Sequence, residues 1–221
     1  GSTHPGIRCG VSVEGCRRFI ELWNLVFIQF NRDESGALVP LAARHVDTGM
    51  GLERICALLQ GVSDNYATDL FAPLIRWIEQ ASNVRYGQSV QVDTAIRVIA
   101  DHARACTFAI TDGIIPSNEG RGYVIRRILR RAARFGRKIN QHEPFIYKLV
   151  PVIAEKMGSF FPELIEQQQR VMQCILDEEQ SFNKTLDRGL EIFESAVQKV
   201  LQQGSKRLSG ETVFELYATY G

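Results

Sequence analysis

Within the run Val46-Asp47-Thr48-Gly49-Met50-Gly51-Leu52-Glu53-Arg54, a carboxylate, two glycines and a guanidinium stand within eight residues. Few tasks call for that set at the mouth of a helix. Asp47 can hold an ammonium group. Gly49 and Gly51 let a backbone pass close to a flat or charged ligand without side-chain interference. Arg54, one turn further on, can clamp phosphate oxygens with its planar fork. Taken alone, a Gly-x-Gly before a helix is also what a plain strand-to-helix turn looks like.

A second concentration of chemistry lies at 121–138, where Arg121, Arg126, Arg127, Arg130, Arg131, Arg134, Arg137 and Lys138 fall within eighteen residues. At helical spacing Arg126, Arg130 and Arg134 share a face, with Arg127 and Arg131 beside them. Ile125, Ile128, Leu129, Ala132 and Ala133 supply the buried side. So many like charges need either a polyanion, which gives salt-sensitive binding without sequence choice, or acidic neighbours. Glu163, Glu166, Asp177, Glu178 and Glu179 are the acidic candidates, although the run Asp177 to Gln180 reads most simply as a solvated face.

The elements that must position these groups follow from periodicity. Phe19 to Phe30, rich in aromatic and β-branched residues, reads as a buried strand. A polar turn over 31–36 and a short apolar segment, Ala37 to Leu41, suggest a hairpin. A further short strand, His45 to Thr48, leads into a helix from Gly49 to Gln60 with Leu52, Ile55, Leu58 and Leu59 on one side. From Asp69 onward the period is helical: around Leu70 to Ile78, over Thr94 to Thr111, and over Arg121 to Lys138, which Gly136 helps to end. Phe145 to Met157 is helical with a kink expected at Pro151. Pro162 is expected to open one long helix to about Gln203, with a stripe of Leu164, Val171, Ile175, Phe182, Leu186, Leu190, Phe193, Val197 and Leu201. The last segment, from Ser209, reads as a capped short helix or turn. The fold class is α+β, mostly α.

The bulk composition is that of an ordinary soluble protein, with 23% charged residues and a net charge of +1, which argues against indiscriminate nucleic-acid binding. Five scattered cysteines (Cys9, Cys16, Cys56, Cys106, Cys174) show no zinc-ligand spacing and fit reduced thiols in the cytoplasm. No metal site is expected, and no apolar run is long enough for a membrane span. Gly1-Ser2 reads as a cloning scar.

Several segments in order carry a resemblance. They are Glu21-Leu22-Trp23-Asn24-Leu25-Val26-Phe27-Ile28-Gln29-Phe30-Asn31, the Asp47–Arg54 run, Ile99-Ala100-Asp101-His102, Asp112-Gly113-Ile114-Ile115-Pro116-Ser117-Asn118-Glu119, Arg121-Gly122-Tyr123-Val124-Ile125-Arg126-Arg127, and the closing Phe214-Glu215-Leu216-Tyr217-Ala218-Thr219-Tyr220-Gly221. From about Phe19 to Gly221 this succession resembles the alanyl-tRNA synthetases, which are class II aminoacyl-tRNA synthetases. Gly49-Met50-Gly51-Leu52-Glu53-Arg54 is similar to their third signature motif.

The resemblance implies two domains: 1–60, the end of a class II catalytic core whose antiparallel sheet is represented here by a remnant, and 61–221, a helical tRNA-recognition domain. It implies that Arg54 holds ATP phosphate, Gly51 lets the nucleotide lie close, Asp47 takes the alanine ammonium, Asn24 and Val26 line the small pocket, and Gly49 keeps it tight. ATP with Mg2+ is implied for the parent enzyme and no bound cofactor for this chain alone. The implied partners are the acceptor stem of tRNA(Ala) and the remainder of a synthetase chain, with no membrane and no DNA. Asn118 and the helix carrying Arg121, Arg126, Arg127, Arg130, Arg131 and Arg134 would meet the tRNA.

In that family a G·U wobble pair in the acceptor stem is read by an asparagine in the Pro-Ser-Asn loop and by an aspartate in the closing Tyr-Asp-Thr-Tyr-Gly. The wobble geometry leaves the guanine amine open to a side-chain acceptor. Ala218 stands where that aspartate would, and a methyl group accepts no hydrogen bond, so discrimination is expected to fall by about 1–3 kcal/mol. Nothing before Phe19 matches the first two class II motifs, so the chain is expected to be a piece of a longer enzyme, inactive by itself. The alternatives are a non-catalytic RNA-binding or regulatory module and a helical protein-interaction domain. An exposed sheet edge is expected to make residues 7–60 the less stable part.

Overall fold

The computed structural model describes residues 10, 11, 13, 19–205 and 207–220, and the chain divides into two units, 1–68 and 69–221. Gly1-Ser2, Cys9, Cys16 and Gly221 lie outside the described residues.

In the first unit, strand β1 (Trp23–Arg32) pairs antiparallel with strand β2 (Leu38–Met50). The connection is a turn in which the Asp33 carboxylate accepts from the Ser35 hydroxyl at 2.6 Å and the Ala37 amide at 3.0 Å, while Gly36 takes φ +86°. Those bonds, the Ser35 hydroxyl first, hold the Asp33 carboxyl below its ordinary range. The two short strands expected at 37–41 and 45–48 are one continuous strand. Its irregularity lies where Ile28 faces His45 but Phe30 faces Pro40, so Gln29 is opposite the segment 41–44. Proline gives no ladder donor, and a bulge is one of the places a strand tolerates it.

Strand β1 is not buried as expected: Trp23 is 62% and Phe27 68% exposed, because among the described residues its sheet has two strands and supplies no second layer of its own. Helix α1 (Leu52–Leu59) starts later than Gly49, with Gly51 as its extended N-cap at φ −75°, ψ 106°. Its buried residue is Ala57, whereas Leu52, Leu58 and Leu59 are exposed.

The second unit is built round helix α3 (Val90–Thr111), whose N-cap Ser89 accepts from the Val92 amide at 3.2 Å. Ala95, Ile96, Ile99, Ala100, Ala103, Cys106 and Ile110 are all at most 1% exposed. Four small residues among these seven let neighbours approach closely. Those neighbours are α2 (Ala72–Ser82) through Leu74, Ile75 and Ile78, and α4 (Gly120–Arg137) through Ile125, Leu129, Ala132 and Ala133. Helices α5 (Val150–Met157), α6 (Glu163–Glu166) and α7 (Gln168–Gln202) complete the core with Ile153, Leu164, Val171 and Ile175. Helix α8 (Gly210–Tyr220) packs against α7, and Ser209 caps it by accepting from the Thr212 amide at 3.1 Å.

Three expectations need correction. Pro151 lies in the first turn of α5, after a 3-10 turn at Ile146–Leu149, and so starts a helix instead of kinking one. The helix opened at Pro162 ends at Glu166, and Gln167 at φ −99°, ψ 6° separates it from α7. Gly136 is buried inside α4, where a Cβ would lie 2.4 Å from Phe145 Cε1; the chain reverses instead at Asn140, with φ +62°. Cys106 is buried, and burial pushes its thiol up to about 12.

Candidate functional site

The hairpin register decides which side chains of the first unit meet. Directly paired residues share a face of the ribbon. Asn24 is opposite Gly49, Val26 opposite Asp47 and Ile28 opposite His45, all on one face. Trp23, Leu25 and Phe27, opposite Met50, Thr48 and Val46, form the other. Four of the residues singled out in the sequence are therefore cross-strand neighbours on a single surface, with a glycine leaving room beside the asparagine amide. Nothing lies within 4 Å of where a Gly49 Cβ would stand.

The connection to α1 adds Arg54. The Gly51 amide donates to the Leu22 carbonyl at 3.0 Å, tying the helix start to the chain just before β1. Arg54 Nη1 donates to the Glu21 carbonyl at 2.6 Å. Its side chain folds back so that a Gly51 Cβ would meet Arg54 Cδ at 3.2 Å, so the glycine makes room for the arginine as well as for any ligand. Asn24 Nδ2 donates to Glu21 Oε1 at 2.6 Å. Glu21, passed over in the sequence, thus holds both the amide and the guanidinium in place. Its sequence signal was thin: an acid just ahead of an aromatic strand. Asp47 Oδ1 accepts from the Thr48 amide at 2.8 Å, which leaves Oδ2 to meet a cation.

In the second unit α4 carries its cations in two rows. Arg126 Nε reaches Glu178 Oε2 at 3.0 Å, Arg130 Nε reaches Glu178 Oε1 at 2.7 Å, and Arg137 Nη2 approaches Asp187 Oδ1 at 2.8 Å. This row faces α7. Roughly a quarter-turn round the helix, at about 3.6 residues per turn, Arg127, Arg131, Arg134 and Lys138 form an exposed stripe. The grouping of Arg126, Arg130 and Arg134 on one face is thereby corrected: four-residue steps drift round a 3.6-residue helix, and Arg137, not Arg134, completes the row against α7. Among the described residues Arg127 and Arg134 make no hydrogen bond or ion pair. Arg131 and Lys138 lie over the Phe135 ring, at 5.9 and 4.5 Å from its centroid. Arg121 is exposed in the first turn.

The acidic run 177–180 is a solvated face only at its ends: Asp177 and Gln180 are exposed, and the pair between them is buried. Glu178 is 8% and Glu179 1% exposed. Glu179 accepts from the Phe145 amide at 3.0 Å and the Ile146 amide at 3.1 Å, pinning the start of the 3-10 turn, and burial raises its carboxyl to about 7 despite those bonds. A signal for both was present. The stripe Val171, Ile175, Phe182 skips a position, and Glu178 and Glu179 fill it.

The loop 112–119 leads into α4. Gly113 turns it at φ +92°, and Pro116 is buried. It lies so close to α4 that a Cβ on Gly122 would fall 2.2 Å from Ser117 Oγ and 2.3 Å from the Ile115 carbonyl oxygen. This contact brings exposed Asn118 alongside Arg126, whose Nη1 donates to Asn118 Oδ1. Ala218 is exposed on α8, which packs on α7, whereas Asn118 is held by α4. On α3, Asp101 bonds His102 Nδ1 at 2.9 Å, and that bond, ahead of the nearby Arg104 and Arg131, holds the Asp101 carboxyl below its ordinary range.

The two arrangements suit different ligands: a small zwitterion or nucleotide for the first, a polyanion with exposed edges for the second. A family model described as class II tRNA synthetases (A) matches residues 8–221. The chain is 50% identical over 213 residues to an alanine–tRNA ligase of Carboxydothermus hydrogenoformans, covering 96% of this chain and 24% of that protein. It is 54% identical over 204 residues to one of Chlorobium phaeovibrioides, covering 91% and 23%, and 50% identical over 204 residues to one of Geobacillus kaustophilus, covering 92% and 23%. The chain spans about a quarter of the length of these relatives.

Proposed function

Because this chain belongs to the class II tRNA synthetases (A), we propose that it is part of an alanine–tRNA ligase, contributes the third motif of the aminoacylation site and binds the tRNA acceptor stem. The whole enzyme joins alanine to tRNA(Ala) with ATP and Mg2+, and it works in the cytoplasm. In this reading Asp47 meets the alanine ammonium, and Asn24 and Val26 wall the pocket beside Gly49. Gly51 admits the nucleotide, and Arg54 stabilises phosphate charge as the adenylate forms. Positioning and charge stabilisation carry most of such a displacement.

The observation that carries the tRNA half is the exposed stripe Arg127, Arg131, Arg134 and Lys138 on the helix whose Arg126 holds Asn118. Arg127 and Arg134, which have no hydrogen bond or ion pair among the described residues, stand on a rigid helix and fit phosphates at low ordering cost. The adenylate half rests on Asn24, Val26, Asp47 and Gly49 sharing one face.

Affinity for tRNA(Ala) acceptor-stem duplexes carrying G·U or G·C at the wobble position, at two salt concentrations, tests the tRNA half. Binding should weaken steeply with salt, and Arg127→Ala should lower the slope of log affinity against log salt by about 1. A preference for G·U that disappears in Asn118→Ala assigns the base reading to Asn118. An affinity indifferent to salt and to Arg127 would overturn the proposal.

A further inference from the structure

We infer that Glu178 is a positioning residue for base recognition, acting on Asn118 through Arg126. The inference rests on the reading that the Asn118 loop meets the acceptor stem.

Glu178 is buried on α7, 8% exposed, and both its oxygens are committed: Oε2 to Arg126 Nε at 3.0 Å and Oε1 to Arg130 Nε at 2.7 Å. A guanidinium is planar, so fixing Nε fixes the plane and therefore the direction of its outer nitrogens. For Arg126 that direction is toward the loop, where Nη1 donates to Asn118 Oδ1. Arginine only donates, so the amide must turn its oxygen inward and its Nδ2 outward, as a donor to a minor-groove base acceptor such as a pyrimidine O2, whose place differs between G·U and G·C; the guanine amine is left to an acceptor at position 218. Arg130 closes the assembly, with its guanidinium carbon 5.3 Å from the Phe182 ring centroid. One buried carboxylate thus sets which edge of an exposed asparagine faces the solvent, across three elements of the fold.

The rest of the neighbourhood is consistent with that role. Gly122 lets the loop lie against α4 closely enough for Asn118 to come within reach of Arg126. The Asn118 side chain has no other hydrogen-bond partner among the described residues. Without Glu178, Arg126 is released toward solvent and the Asn118 amide is free to turn over. Phosphate contacts on the exposed stripe do not depend on either event. The effect should therefore fall on the choice between duplexes and leave the grip on them intact.

The test compares this chain with its Glu178→Gln, Arg126→Lys, Asn118→Ala and Glu178→Gln/Asn118→Ala variants. Affinity is measured for the G·U and G·C duplexes, the fold is checked by circular dichroism, and the Asn118 side-chain amide is followed by NMR. Glu178→Gln should lower the G·U over G·C ratio several-fold while the G·C affinity and salt slope stay as they were, and should shift the Asn118 amide signals. Arg126→Lys keeps a cation but loses the fork, so it should lower the same ratio even where Glu178→Gln folds poorly. In the double variant Glu178→Gln should add nothing to the loss from Asn118→Ala. An equal loss on both duplexes, or a further loss in the double variant, makes Glu178 a structural residue only and overturns the inference. Loss of the ratio in Asn118→Ala but not in Glu178→Gln or Arg126→Lys overturns it while the tRNA reading stands. A ratio that Asn118→Ala leaves unchanged, or a parent chain with no preference, removes the reading and the inference with it.

Discussion

The hairpin and the helical unit are both rich in apolar side chains and treat them in opposite ways. Ile96, Ile99 and Leu129 are at most 1% exposed, whereas Trp23, Leu25, Phe27 and Val46 are 59–68% exposed. Helices around α3 bury one another's stripes. Two strands make a ribbon with two faces, and its apolar side chains stay exposed. The ribbon holds its register through ladder bonds and cross-strand pairs, which by themselves give marginal stability in water. Apolar residues state a demand for cover, and a partner has to meet it.

The largest expected difference between the regions is in what a truncated side chain costs. Leu129→Ala should cost about 2–5 kcal/mol in urea unfolding, through lost transfer energy and a cavity. Phe27→Ala should stay within about 0.5 kcal/mol, since it vacates solvent. Hydrogen exchange should show the same contrast, with amides of β1 exchanging well before those of α3. Equal costs or equal protection would erase the distinction.

Next in size is a pH effect confined to the helical unit. Burial raises the Glu179 carboxyl from its ordinary 4.5 to about 7, so the folded state holds a proton that the unfolded chain releases earlier. Stability from this group is complete below pH 4.5 and is lost as pH rises through about 7. The loss is on the order of 3 kcal/mol. Unfolding free energies at pH 5 and pH 8 measure it, and Glu179→Gln should flatten the profile. A Glu179→Gln variant with the parent's pH slope assigns the effect elsewhere.

The smallest contrast compares two glycines. Gly122→Ala should destabilise by about 1–3 kcal/mol, because the new carbon meets Ser117 Oγ at 2.2 Å and the loop cannot stay where it is. That outweighs the gain of about 1 kcal/mol in helix propensity. Gly49→Ala meets nothing within 4 Å and should leave stability unchanged. A stabilised Gly122→Ala would show that the loop gives way freely.

Much of this was legible in the sequence. The spacing of Ile96, Ile99, Ala103 and Ile110 pointed to α3, and the Gly-x-Gly before a helical period pointed to a strand-to-helix junction, placed at Gly49 where the structure has it at Gly51. Cross-strand contact of Asn24 with Gly49 was not readable, because register depends on how many residues the bulge at 41–44 absorbs. The break at Gln167 has no propensity signal. The burial of Glu178 and Glu179 was misjudged because charge was taken as evidence of exposure. At two positions on an apolar stripe, charge instead marks a buried partner: two arginines for one, two backbone amides for the other.

Helix α7 also has a mechanical side. Its 35 residues make a rod of about 50 Å. Val171, Ile175, Glu178, Glu179 and Asn183 clamp the root, while Leu190, Phe193 and Leu201 further out are more than 40% exposed, and α8 rides on the far stretch. From Asp187, which Arg137 still holds, to Gln202 the arm is about 22 Å, so a tilt of about 5° there swings the tip by about 2 Å. That is a large part of a hydrogen bond's length, about 2.9 Å. The gap between Asn118, anchored at the root, and position 218, carried at the tip, is governed by leverage along a single helix.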